Sequence, residues 1–223
     1  MEGKGFDAFA SEYFAPIYPA YAQKIITRTG VNTGDVLDLG CGGGHLGFSL
    51  LDLGNFSSVT FFDKQEKAIE QSKERAEALN YPAEWCRYEQ GDACDLSRFA
   101  NDTFSLVVSR GSMQFWDDCN KALCEIHRVL KPGGYCYIGG GVGVTARQTE
   151  RMDAIMDRRA AAYGVGHGLL QEEASAQRKK SRTEQCKQYA DLFHELDCSY
   201  MLINSKSEGG WFVFCKDNDI STW

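Results

Sequence analysis

Positive charge is in short supply in this chain. Lys and Arg together number 24 against 31 Asp and Glu, a formal net charge of −7 over 223 residues. A nucleic-acid partner normally calls for a basic face, so that class is disfavoured. Long apolar runs are also missing: none approaches the ~18 residues that cross a bilayer, and the glycine-rich, acidic start does not read as a signal peptide. The expectation is a soluble, cytoplasmic protein without a membrane span. The nine cysteines are an odd number without a Cys-x-x-Cys pair, which suggests neither a disulfide framework nor a zinc knuckle. No His, Cys and carboxylate set has metal-site spacing, so no metal is expected. Reduced thiols acting as small hydrophobes are the simplest account.

What is present is an alternation of apolar runs and helical patterns long enough to bury a core without staples. Strands are read at 35–39, 58–62, 85–89, 104–109 and 134–139, with helices at 44–54, 65–80 and 118–130 and a short loop-helix at 95–100. Strands separated by helices imply right-handed βαβ units and a parallel sheet. Residues 5–30 carry aromatics at helical spacing (Phe6, Phe9, Tyr13, Phe14, Tyr18, Tyr21), broken by Pro16 and Pro19 into two short helices. The stretch from 139 to 198 is too long for a plain connection and reads as a covering helix near 146–162 plus a lid, with a further helix near 185–196. Strands near 199–205 and 210–215 then close the domain through a tight hairpin.

The most informative stretch is Val36-Leu37-Asp38-Leu39-Gly40-Cys41-Gly42-Gly43-Gly44, an apolar strand running into glycines and then a helix. Such a turn lets backbone approach a nucleotide-like ligand. Asp63 ends the next strand, where a carboxylate can accept from both ribose hydroxyls. Gly42 to Gly47 also satisfies G-x-G-x-x-G, which by itself leaves a dinucleotide open and keeps a nicotinamide-dependent oxidoreductase as the alternative. Asp38 pulls the other way. Inside the strand it suits a cationic amino group and would repel a pyrophosphate. Asp92 with the backbone of Ala93, at the tip of the third strand, matches the hydrogen-bond inventory of an adenine edge.

With the segments VLDLGCGGG, TFFD, GDACDL, FSLVVSRGSMQFW and EIHRVLKPGGYCYI in view, the chain resembles the class I S-adenosylmethionine-dependent methyltransferases, particularly the ubiquinone/menaquinone-biosynthesis branch. The resemblance runs from about residue 34 to residue 140. It implies a Rossmann-like three-layer α/β sandwich with a seven-stranded mixed sheet, mostly parallel with the last strand antiparallel. One domain, 1–223, would then comprise a flap (1–30), a cofactor-binding core (31–140), a lid with covering helices (141–198) and a strand hairpin (199–217).

The cofactor implied is S-adenosyl-L-methionine, leaving as S-adenosyl-L-homocysteine, and the acceptor a small molecule. By position, Asp38 and Gly40 hold the methionine end with backbone groups after the fourth strand at Ser109 and Arg110, and Gly42 and Gly44 of the same turn also bind the cofactor. Asp63 takes the ribose, Lys64 flanks the adenine, and Asp92 with Ala93 reads its edge. Tyr13, Tyr18, Tyr21, Gln114 and Trp116 are candidates for facing the acceptor. His167, in a glycine-flanked loop, and Arg110 are the catalytic candidates; as bland readings, His167 is an exposed loop residue and Arg110 a structural ion pair. The cluster Arg178-Lys179-Lys180 with Arg182 could hold an anionic acceptor, though a solvated helix face is the simpler reading. A binding module without turnover is the remaining alternative.

Overall fold

The computed structural model describes residues 10–141, 189, 191–196, 198–205 and 208–216. Seven strands form one sheet: β1 (Thr33–Leu39), β2 (Asn55–Asp63), β3 (Cys86–Gln90), β4 (Phe104–Arg110), β5 (Leu130–Gly140), β6 (Ser199–Ser205) and β7 (Gly209–Cys215). Their order is β3-β2-β1-β4-β5-β7-β6. The first five run parallel, while β7 is antiparallel to both β5 and β6. This is the Rossmann-like sandwich with a seven-stranded mixed sheet that the resemblance implies.

The strand order reverses between β1 and β4, and the crevice of an open α/β sheet lies beyond the carboxyl ends at such a switch point. That geometry puts the glycine turn after β1 and the end of β4 on the two sides of one cleft.

Period-two alternation along the central strands sends side chains to two separate cores. Val36, Val59, Phe61, Leu106, Val108 and Tyr137 point to one face. There they meet α1 (Tyr18–Thr29) and α2 (His45–Leu53). Leu37, Leu39, Phe62, Val107, Cys136 and Ile138 point to the other, beneath α4 (Cys119–Val129) and Phe193. Helix α4 buries Ala122, Leu123, Ile126 and Val129 at three- and four-residue spacing, and Asp118 caps it by accepting from the Lys121 N–H at 3.0 Å. Between β2 and β3, α3 (Glu66–Ala78) buries only a thin stripe, Ala68, Ile69, Ser72 and Ala76.

Three sequence expectations need correction. Residues 95–100 form turns and no helix. The Asp92 and Asp95 carboxylates accept from the Cys94 and Ser97 N–H groups, and Glu125 and Arg128 of α4 bond Leu96 and Phe99 backbone. Side chains thus supply the partners a helix would have supplied itself. Pro19 does not break a helix; it sits in the first turn of α1, where a missing N–H costs nothing. The residues before it form a π turn (Ala10–Phe14) and a 3-10 turn (Ala15–Ile17). Strand β5 begins at Leu130, four residues early, because Leu130 pairs with Phe104 before an irregularity restores register at Tyr135. The expected helix near 146–162 and the lid lie outside the described residues.

Candidate active site

The turn after β1 is held by its own protein. The Gly40 and Cys41 N–H groups both donate to Phe62 O, at 2.7 and 3.1 Å, and Gly44 N–H donates to Cys41 O. Gly42 N–H donates to Asp63 Oδ2 at 3.0 Å, and Gly47 N–H to Asp38 Oδ2 at 2.9 Å. These donors are committed to protein oxygens, so the turn does not present them to a pyrophosphate. Gly42 has φ +53, and a Cβ there would point into open space, so the turn presents bare backbone to the cleft. At Gly40 a Cβ would strike Ser112, whose hydroxyl bonds Leu39 O and Ser109 Oγ.

The three acids stand at the ends of neighbouring strands in different electrostatic states. Asp38 is buried, and burial pushes its carboxyl up to about 7 against the bond from Gly47, with the negative charge of Asp63 adding to the rise. A cation beside it would restore the charged form. Asp63 spends one lone pair of each oxygen on backbone, Gly42 N–H and Gln65 N–H, and keeps the others for hydroxyl donors. Asp92 is half-buried and held below the usual carboxylate range, chiefly by Lys64 and also by the Cys94 N–H. A cationic amine, a diol and an aminopurine edge, in that order from β1 to β3, match the amino-acid end, ribose and adenine of S-adenosylmethionine. Ala93 follows Asp92 and is buried.

Several expected residues are placed otherwise. Exposed Lys64 bridges Asp92 and Asp117 at 2.9 Å each, and these partners raise its pKa. Ser109 and Arg110 still belong to β4, so the first residue past the strand is Gly111, whose N–H donates to Gly139 O. The Arg110 guanidinium turns toward β5, bonding Gly141 O at 2.7 Å and the Tyr18 hydroxyl at 3.2 Å. The ion pair given as its bland reading does not form among the described residues. Tyr18 keeps its place at the cleft, stacked on His45 with ring centroids 4.8 Å apart. Tyr21 is a core pillar, 1% exposed, packed on Trp211. Gln114 is exposed with a weak bond to Gly111 O, and Trp116 leans on the opposite core. The Tyr13 side chain, His167 and the Arg178–Arg182 cluster lie outside the described residues.

The cleft is lined by Ala10, Tyr18, Asp38, Gly40–Gly43, His45, Leu46 and Arg110, and counted out to solvent holds about 380 Å³. Two contributors were not legible. Arg75, from the highly charged α3, donates to Gly43 O and to Ser11 Oγ, tying the turn to the N-terminal flap. Ser112 braces Gly40. Neither differs in sequence from an ordinary surface residue. The glycines at the end of β5 have a packing reason: a Cβ at Gly139 would meet Gly210 O, and one at Gly141, just past the strand, would meet Glu208 O.

Comparison with known proteins agrees with this geometry. Residues 37–138 match the family described as "Methyltransferase domain". The demethylmenaquinone methyltransferase of Leptospira interrogans is 39% identical over 101 residues, 44% of this chain and 39% of that protein. The 2-methyl-6-phytyl-1,4-hydroquinone methyltransferase 2, chloroplastic, of Oryza sativa is 35% identical over 105 residues, 47% of this chain and 28% of that protein. The chain thus spans well under half the length of these curated relatives. A solved structure from Methanococcus maripaludis, described as a candidate S-adenosyl-L-methionine-dependent methyltransferase, superposes over 99% of both chains with TM-score 0.81 and 28% identity. Residues 37–138 thus match a methyltransferase domain, and the fold is similar over its whole length to that of the Methanococcus maripaludis structure.

Proposed function

We propose that this protein transfers the methyl group of S-adenosyl-L-methionine to a small-molecule acceptor bearing a hydroquinone-like or phenolic ring. The observation that carries the cofactor reading is the row of Asp38, Asp63 and Asp92 at the carboxyl ends of β1, β2 and β3. The acceptor reading rests on the names of the two relatives and on the aromatic flap over the cleft. When bound, the sulfonium supplies an electrophilic methyl group ready for in-line displacement.

The chain's own contribution is alignment, for which a favourable bound geometry is worth roughly 7–11 kcal/mol of barrier. Asp38 orients the amino group, Asp63 fixes the ribose, and the flap carrying Tyr18 excludes water from the approach of the acceptor. A nicotinamide-dependent reaction is not favoured: the Gly40, Cys41, Gly42, Gly44 and Gly47 N–H groups are spent on protein oxygens, and Asp38 would repel a pyrophosphate.

Isothermal titration with S-adenosyl-L-homocysteine tests the reading. Wild-type protein binds it, and Asp63→Ala weakens binding at least about tenfold, as expected for losing charge-assisted bonds to two hydroxyls. Absence of binding by the wild-type protein rejects the proposal.

A further inference from the structure

Arg110, in the wall of the cleft, has no carboxylate partner among the described residues. Arg110 extends from the end of β4 into the cleft wall, where its guanidinium lies 4.7, 4.9 and 5.4 Å from the ring centroids of Phe14, Tyr18 and Tyr21. Its two hydrogen-bond partners, the Tyr18 hydroxyl and Gly141 O, are both uncharged. Its Nε–H is buried and has no acceptor, and no carboxylate pairs with it among the described residues. Aromatic faces offset part of the cost of removing a guanidinium from water, yet an enclosed positive charge still favours an anion brought to it.

Arg110 shares the cleft with Asp38 and the glycine turn but leaves from a different strand than the three acids. Asp92, Asp63 and Asp38 mark a path running from β3 to β1, and Asp63 is the one charged group that shifts Asp38. Arg110 departs from β4 on the other side of the switch point and reaches for Gly141, just past the end of β5. The switch point thus divides the strands that carry the three acids from the strand that carries Arg110. The ring beside Arg110, Tyr18, is also the residue stacked on His45 of the glycine turn.

We propose that Arg110 is the anion subsite of the acceptor pocket, and that the acceptor is a flat molecule carrying a negatively charged oxygen, a phenolate or a carboxylate. This rests on the methyltransferase reading above and deepens it. The guanidinium draws the acceptor oxygen toward the gap beside Tyr18, and the aromatic flap accepts the ring. A phenolate held there keeps its electron pair available for the methyl group, with no proton left to remove at the oxygen.

The test is binding in the presence of saturating S-adenosyl-L-homocysteine, with benzoate as the carboxylate probe, 4-nitrophenolate as the phenolate probe and benzamide as the neutral control. Wild-type protein is expected to prefer one or both anions to benzamide by more than about tenfold, the scale of one charge-assisted contact. Which anion is preferred distinguishes the two sources. Arg110→Met abolishes the preference, Arg110→Lys retains part of it, and thermal melts with wild-type midpoints report that both variants are folded. Equal binding of anions and benzamide by wild-type protein overturns the proposal, as does a preference that survives in Arg110→Met. So does weakened S-adenosyl-L-homocysteine binding in Arg110→Met with 5′-methylthioadenosine unaffected, because the arginine would then serve the cofactor's own carboxylate. If wild-type protein binds no S-adenosyl-L-homocysteine, the methyltransferase reading itself fails.

Discussion

Asp38 is neutral when the cleft is empty at mildly acid pH and becomes a buried anion as the pH rises. Its folded pKa, about 7, lies above the ordinary 3.8, so its contribution to stability is complete below 3.8 and is lost progressively up to about 7. Thermal melts across that window should show wild-type protein losing stability relative to Asp38→Asn as the pH rises. S-adenosyl-L-homocysteine brings an ammonium group to the same place, so its stabilising effect on the wild type grows over the same interval. A ligand-induced shift as pH-dependent in Asp38→Asn as in the wild type contradicts this assignment. Of the three acids, Asp38 and Asp63 could be read from one strand-turn-helix segment and the next strand. The protonation state of Asp38 could not, because its burial depends on what α2 and β4 place around it.

Among the elements, α1 is fastened most firmly toward its C-terminal half. Glu208, beside the start of β7, pairs with Lys24 and Arg28, and Arg28 also donates to the Tyr137 hydroxyl. The Glu208 carbonyl accepts from Trp211 Nε1 at 2.7 Å and from the Tyr21 hydroxyl. The flap ahead of α1 depends instead on Ser11 and on the Tyr18 contacts to His45 and Arg110. Glu208→Ala leaves two half-buried cations unpaired and should cost about 1–2 kcal/mol of stability. Hydrogen exchange should then quicken in α1 while β1–β4 stay protected; uniform loss of protection would contradict the assignment of Glu208 to the flap. None of these cross-links is visible in a helical pattern, since Glu208 lies some 180 residues from its partners.

For the molecule as a whole, Trp211 joins the antiparallel hairpin to the rest of the fold. It is fully buried in β7, with its ring 4.9 Å from Tyr21 and 5.2 Å from Tyr137. Trp211→Ala removes contact to flap and sheet together and should cost about 3–5 kcal/mol in urea unfolding. A cost below about 1 kcal/mol would mean that the hairpin does not support the core. The match over 37–138 ends at Ile138, before this hairpin.

The sequence by itself determined the parallel core, the antiparallel final strand, the glycine turn and the strand-end acids. Hydrophobic period and turn chemistry are local, and each of those features repeats within a few residues. Only the tertiary structure decided where long side chains end. Residues 95–100 became turns because α4 supplied partners, and Lys64 was drawn to Asp92 and Asp117. Arg75 reached the glycine turn, and Arg110 turned into an aromatic box beside Gly141. A charged side chain can extend in many directions, and the one it takes is fixed by desolvation and by partners distant in sequence.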